Sequence, residues 1–253
     1  MESLRLLKLE THNAFMNMAI DEAILTARTI DKAPNTLRLY RWNPAAVSIG
    51  KNQQAENEVH LDNCRKLGVN VVRRISGGGT VFHDSQGEVT YGLIANTSDI
   101  DAKDSTAVYV KVYAGIKGAL RILGVTADFN EGDEKNSGSA QTRKRDTILQ
   151  HGTLLLDVDL EKMFTVLRVP WAKTCMEVVN VAKNRITSVK NELGHSVSAE
   201  TAANALAAGF KNALSLQVAE GELTRYEQEL AQKLYREKYE TDDWNLHAKS
   251  IIF

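Results

Sequence analysis

The stretch that decides how this chain is read is RRISGGGTVFHD, Arg73 to Asp84, where three consecutive glycines stand between two arginines and a histidine. The β-branched run Val69 to Arg74 enters it as a strand, and Thr80 to His83 leaves it with strand composition rather than helical. A dinucleotide fingerprint needs a spaced G-x-G-x-x-G that opens a helix, and a P-loop needs G-x-x-x-x-G-K-[ST]. Neither spacing is present. Adjacent glycines in a strand-to-strand turn instead remove every Cβ, so backbone N–H groups can approach a ligand and donate to an anionic or carbonyl oxygen. Arg73 and Arg74 add positive charge beside that surface, and strand alternation lets only one of them face the ligand side. His83, four residues past the last glycine, is placed to line the same pocket. Read without a ligand, the segment is a tight hairpin with solvated arginines.

Outward from the glycines, Arg5 to Leu9 reads as an opening strand. Asn13 reads as the cap of a helix carrying Phe15, Met18, Ala19, Ile24 and Leu25 with an acidic pair, Asp21 and Glu22. Leu37 to Tyr40 and Ala46 to Ile49 are short strands bounded by Pro34, Pro44 and Gly50, and Asn57 to Leu67 is a helix ending at Gly68. A strand follows at Val89 to Ala95. The spacing of Val108, Val112, Ile116, Leu120 and Leu123 predicts a helix over 105–123, with Gly124 in the stop position. The polar run DFNEGDEKNSGSAQTRKRD after it has no periodicity, and a strand is expected at Thr153 to Val158. Helices are expected at Leu160 to Leu167, Ala199 to Leu214 and Thr224 to Tyr239, the last opened by the capping-box pair Thr224 and Glu227. Strands crowd the first 160 residues and helices dominate the end. The expectation is therefore an α+β fold with mixed sheets flanked by helices, a single domain over 1–253 with a helical part from about residue 160.

Composition narrows the function classes. The 31 basic and 32 acidic residues leave a formal net charge of −1, which carries no global footprint for nucleic acid or an anionic membrane. The two cysteines, Cys64 and Cys175, are too few and too far apart for a disulfide scaffold or a thiolate metal site and suit a reducing compartment. No apolar run reaches the roughly 18 to 20 residues of a membrane span, and the opening MESLRLLKLETHN lacks a signal-peptide core, so a cytoplasmic protein is expected.

Two blocks carry a resemblance. RRISGGGTVFHD is similar to the RRxSGGGAVFHD signature of lipoate-protein ligases. KNSGSAQ followed by LQHGTLLLD, from Lys135 through Ser137, Gly138, Ser139, Ala140 and Gln141 to His151, Gly152, Thr153 and Leu154, resembles their second signature. MNMAIDEAIL, Met16 to Leu25, resembles the family's first helix, and YREKYETDDWN, Tyr235 to Asn245, the closing segment of its archaeal and Gram-positive members. The resemblance implies the biotin/lipoate-protein-ligase fold and an ATP-dependent reaction in which lipoate is activated to lipoyl-adenylate and transferred to a lysine of a lipoyl domain. It implies Lys135 as the catalytic residue, stabilising charge on phosphate and acyl oxygens. Arg74, Ile75, Ser76, Gly77, Gly78, Gly79, Thr80, Val81, Phe82, His83, Ser137, Gly138 and His151 would bind substrate and ATP. Mg²⁺ would be held by Asp128 or Asp133, lipoate and ATP would be substrates, and no tightly bound cofactor is expected. The implied partners are lipoyl domains of 2-oxoacid dehydrogenase E2 subunits, the glycine cleavage H protein or a similar carrier, with a separately encoded accessory subunit in bipartite systems.

The alternative within the superfamily is an octanoyl transferase that moves an acyl chain from acyl carrier protein to a lipoyl domain without ATP, using a cysteine thiolate. In such transferases the cysteine precedes the lysine block, where Asp128 to Glu134 holds none, and an arginine tends to occupy the position of Gly79. Those departures favour the ligase expectation. A non-catalytic lipoyl-domain-binding module is the reading from another class, supported by the compressed segment before Lys135.

Overall fold

In the computed structural model, which describes residues 3–126 and 139–249, the chain enters through strand β1 (Ser3–His12) and turns at Asn13. The Asn13 side-chain oxygen accepts from the Met16 N–H and caps helix α1 (Ala14–Thr29). Strands β2 (Thr36–Trp42) and β3 (Ala46–Ile49) follow. The helix expected over 57–67 is two pieces, α2 (Ala55–Glu58) and α3 (Leu61–Leu67), because Val59 leaves helical conformation to bridge Leu167. Gly68, at φ +64°, closes α3 in the left-handed conformation that glycine adopts without penalty.

Strands β4 (Asn70–Arg73), β5 (Val81–His83) and β6 (Glu88–Asn96) bracket the glycines, and α4 (Ser105–Ile122) starts on the Asp104 cap. The polar run read as aperiodic contains a strand, β7 (Ser139–Lys144), which forms a hairpin with β8 (Thr147–Leu155). Its polarity has a simple origin: β7 is the edge of its sheet, so little of it is buried and no apolar face is needed. The helical part comprises α5 (Leu160–Val166), α6 (Cys175–Ala182), α7 (Val189–Leu193) and α8 (Ala199–Leu214). Strand β9 (Gln217–Glu220) interrupts it before α9 (Arg225–Leu234), a π-helical turn at Tyr235–Tyr239 and α10 (Asp242–Asn245). The expected capping box at Thr224 and Glu227 is formed.

The large sheet has the order β7-β8-β6-β2-β1-β9, with β1 parallel to β2 and β9 and the remaining neighbours antiparallel. One face buries Leu37, Leu39, Tyr91 and Leu93 under α4 and α8; the other buries Leu7, Ile94 and Leu149 under α1 and α9. Each fully buried side chain of this kind contributes about 1.5–3 kcal/mol. Helices α4 and α8 cross at van der Waals contact of their backbones: a Cβ on Gly209 would overlap the Gly115 carbonyl oxygen. The small sheet, β4-β3-β5, rests on a third cluster formed by Val47, Ile49, Phe82, Cys64 and Val166. No helix among the described residues is long and apolar enough to cross a membrane.

Candidate active site

Strand β3 is central in the small sheet, with β4 parallel on one side and β5 antiparallel on the other, so the segment 74–80 must arch over the end of β3. The two arginines that enter this arch diverge, as alternation requires. Arg73 turns into the protein, where Nε donates to Trp244 O at 2.9 Å and one terminal nitrogen donates to the carbonyls of Gly50, Lys51 and Gln53. Arg74 turns toward the cavity and braces the loop itself. Its terminal nitrogens donate to Ser48 O at 3.0 Å, Ser48 Oγ at 3.3 Å, Gly77 O at 2.8 Å and Gly79 O at 2.6 Å, and Nε has no partner among the described residues. Burial lowers the Arg74 guanidinium to about 10. Gly78 sits at φ +91°, and its carbonyl lies where a Cβ on Gly50 would be, so both positions require glycine.

The loop closes one wall of a cavity of about 360 Å³, within the roughly 300–1,000 Å³ range of small-molecule sites. Met18 of α1, Tyr40 and Trp42 of β2, Val81 of β5 and Ala140 of β7 give it apolar surface. Ser48, Arg74, Thr80, His83, Thr90, His151 and Thr153 give it polar groups.

Two buried relays converge on this cavity. In the first, His151 of β8 lies between Ser76 Oγ (2.7 Å from Nε2) and Asp21 Oδ2 (3.2 Å from Nδ1). Asp21 is also the partner of the fully buried Arg38, at 2.8 Å, and accepts from the Tyr40 hydroxyl at 2.9 Å. Burial raises the Asp21 carboxyl, but the His151 hydrogen bond and the Arg38 charge outweigh it and hold the group below the ordinary 3.8. Burial likewise depresses His151 below 6.5 despite Asp21, so the imidazole is neutral, with Nδ1–H donating to Asp21. In the second relay, His83 of β5 lies between Ser48 Oγ, 2.9 Å from Nε2, and Glu88 Oε1, 2.7 Å from Nδ1. Trp42 stacks on the His83 ring with centroids 4.0 Å apart, and its indole N–H donates to Thr90 Oγ1, which in turn donates to Glu88 Oε1 at 3.0 Å. Glu88 is fully buried and its Oε2 is unpartnered among the described residues.

Of the residues expected at the site, Arg74, Gly78, Gly79, Thr80, Val81, His83 and His151 line the cavity. Phe82 points the other way, into the third apolar cluster, because alternation sends Val81 and His83 to the cavity side. Ile75 packs against the α1 cluster, Ser76 is fully buried behind His151, and Gly77 contributes its carbonyl to Arg74. Lys135, Ser137, Gly138, Asp128 and Asp133 lie outside the described residues. Ser48, Glu88, Trp42, Tyr40 and Met18 were not expected. Ser48 carries the one sequence signal, a lone polar residue in the apolar strand AVSI.

Neither cysteine is at the cavity. Cys64 is buried in the third cluster, where burial raises its thiol to about 11, and Cys175 opens α6 with its Sγ on Glu161 O at 3.7 Å.

Three comparisons place the chain among known proteins. The family model described as the lipoyl protein ligase A/B catalytic domain matches residues 13–211. The chain is 37% identical to an octanoyltransferase LipM of Kyrpidia tusciae, covering 97% of this chain and 99% of that protein. It is 32% identical to an octanoyltransferase LipM of Clostridioides difficile with the same coverage. Among solved structures, a bipartite lipoate protein ligase of Thermoplasma acidophilum, determined with its E2 lipoyl domain, superposes with a TM-score of 0.86 at 30% identity, covering 100% and 99% of the two chains. The fold expectation is met. The expectation of ATP-dependent lipoate activation is corrected, because near-full-length relatives carry the octanoyltransferase name. The physical reason for the misreading is that the glycine arch, braced by Arg74 on the carbonyls of Ser48, Gly77 and Gly79, answers to the shape of the cavity wall and does not by itself tell a nucleotide-dependent reaction from an acyl transfer. The alignment with the K. tusciae protein runs over 274 positions against 253 residues here, so that relative carries segments this chain lacks.

Proposed function

From the membership of this chain in the lipoyl protein ligase A/B catalytic-domain family, we propose that it transfers an octanoyl group from a carrier-protein thioester to a lysine of an acceptor lipoyl domain. The observation that carries this reading is the near-complete match to octanoyltransferases LipM. The cavity is consistent with it: Met18, Trp42, Val81 and Ala140 suit a saturated chain, and the polar end at Ser48, His83 and His151 suits the reacting carbonyl. An amine attacking a thioester carbonyl must lose a proton, and the oxygen it attacks must gain negative charge. An imidazole at the polar end, hydrogen-bonded to a buried carboxylate, meets the first demand, and Lys135 is assigned the second. The acceptors this reading favours are E2 lipoyl domains and similar carriers, as in the solved Thermoplasma system.

The test is a reaction of the purified protein with octanoyl-acyl carrier protein and an apo lipoyl domain, without nucleotide, followed by the acceptor's intact mass. One octanoyl group is expected on one lysine, and Lys135→Ala should reduce its rate by about 10²-fold or more. Modification seen only with free acid and ATP would overturn the reading.

A further inference from the structure

The cysteine problem has a structural answer. Acyl transfer between two carriers commonly passes through an enzyme nucleophile, yet the chain's two cysteines are both away from the cavity. We propose, resting on the acyl-transfer reading above, that Ser48 is that nucleophile, activated by His83 and Glu88, and that the acyl group is carried as a serine ester.

The geometry is that of a hydroxyl, imidazole and carboxylate in line. Ser48 Oγ is 2.9 Å from His83 Nε2, and His83 Nδ1 is 2.7 Å from Glu88 Oε1. A carboxylate only accepts, so Nδ1 carries the proton and the Nε2 lone pair is left to take the one from Ser48. Ser48 and His83 are buried in the wall and both line the cavity, which sets the hydroxyl beside a bound acyl carbonyl. The Arg74 guanidinium, 3.3 Å from Ser48 Oγ, stabilises negative charge forming there.

Two such relays exist among the described residues, and their partners and their place at the cavity decide between them. Asp21 is already paired with Arg38 and hydrogen-bonded by Tyr40, and Ser76, the hydroxyl of that relay, does not line the cavity. Glu88 has no arginine or lysine partner among the described residues. Its ion-pair partner is His83, and one of its oxygens is buried without a hydrogen bond among the described residues. The His83 relay is therefore the one whose hydroxyl, imidazole and carboxylate stand in line beside the cavity.

The steps balance without a further reactant. Ser48 Oγ attacks the thioester carbonyl as its proton passes to His83 Nε2. The tetrahedral intermediate breaks its C–S bond, His83 returns the proton to the departing thiolate, and the acyl group stays as an ester on Ser48. The acceptor lysine, as the neutral amine, then attacks that ester and gives its proton to His83. The C–O bond breaks, the Ser48 oxygen recovers the proton, and the amide leaves with the lipoyl domain.

The experiment incubates the full chain with octanoyl-acyl carrier protein without acceptor and measures enzyme mass, maps the adduct by peptide analysis, and tests it with hydroxylamine. The expected adduct is one octanoyl group on Ser48, stable to neutral hydroxylamine and released at alkaline pH as oxygen esters are. Ser48→Ala should lose the adduct and slow transfer by about 10²-fold or more. Ser48→Cys should turn the adduct into a thioester cleaved by neutral hydroxylamine, a change no structural role produces and one that remains readable if the alanine variant misfolds. The Cys64→Ala/Cys175→Ala double variant should keep adduct and transfer. An adduct on a cysteine, transfer by wild type with no adduct, or near wild-type transfer by folded Ser48→Ala would each overturn the serine assignment while leaving acyl transfer standing. If wild type moves no acyl group from any thioester, the functional reading fails, and the serine assignment fails with it.

Discussion

Replacing Glu88 by glutamine should stop acyl transfer and leave the fold standing, and the structure gives a magnitude for each half of that statement. Glu88 is fully buried at the start of β6, with Oε1 accepting from His83 Nδ1–H at 2.7 Å and from Thr90 at 3.0 Å. Glutamine fills the same volume but changes what His83 meets. With the amide nitrogen toward Nδ1, the imidazole proton is driven to Nε2, the atom that must accept from Ser48. With the amide oxygen toward Nδ1, the tautomer survives but the charge opposite a forming imidazolium is gone. Either way the general-base contribution, about 10²–10⁴-fold, is lost, equivalent to about 3–5 kcal/mol of transition-state stabilisation. Stability responds differently. The amide removes a buried charge whose second oxygen is unpartnered, so the cost of the changed hydrogen bond is offset and the net shift stays within about 1–2 kcal/mol. Single-turnover transfer to an apo lipoyl domain, read by mass, paired with urea unfolding, separates the two. Activity within threefold of wild type in a folded variant would take the His83 and Glu88 pair out of the proton path. A stability loss above about 3 kcal/mol with unchanged activity per folded molecule would make the pair structural.

Two further outcomes follow from the other relay. Arg38→Met strands the Asp21 carboxylate in the interior and should cost about 3–5 kcal/mol; adding Asp21→Asn should recover much of it, and additivity of the two variants within about 0.5 kcal/mol would refute the coupling. His151 and Asp21 are both depressed in the folded state, so the unfolded chain binds more protons as pH falls. Stability should be full above about pH 6.5, decline below it as the unfolded His151 protonates, and decline again near and below 3.8 as the unfolded Asp21 does. Urea midpoints across that range should fall toward acid and flatten partly in His151→Gln, part of the slope remaining with His60, which burial depresses in the same direction; an unchanged slope would refute the assignment.

What was legible in the sequence was what repeats with a physical period. Helices α1, α4 and α8 each show a buried face at helical spacing, and Asn13, Gly68 and Thr224 mark ends of α1, α3 and α9 by cap chemistry that acts over three or four residues. β7 and β9 were missed because both are sheet edges whose exposed polar side chains leave no alternation to detect. The site divided along the same line. The arch residues Gly78, Gly79, Thr80 and His83 lie within six positions of one another, and their spacing announces a turn with one charged wall. Ser48, Glu88, Asp21 and Tyr40 come from β3, β6, α1 and β2, and only the pairing of β3 with β5 and of β2 with β6 brings them to that wall.

The same division explains why the glycine signature separates a cavity from a non-cavity better than one reaction from another. Gly50 and Gly78 must be glycine because the arch passes over β3 at backbone contact, and Arg74 must be buried there because three carbonyls of the arch and of β3 need a donor. These are demands of shape, and any chemistry that lays a thin acyl chain against β3 inherits them. The reacting groups answer to a different constraint, the compensation of buried charge. Asp21 is neutralised by an arginine that belongs to the core, which makes its relay a rigid support, whereas Glu88 has a histidine and a threonine hydroxyl on one oxygen and, among the described residues, nothing on the other. That histidine's other nitrogen faces a hydroxyl on the cavity wall. The catalytic choice between the two relays is thus made by Arg38, a residue that touches neither serine, through the charge it supplies to one acid and withholds from the other.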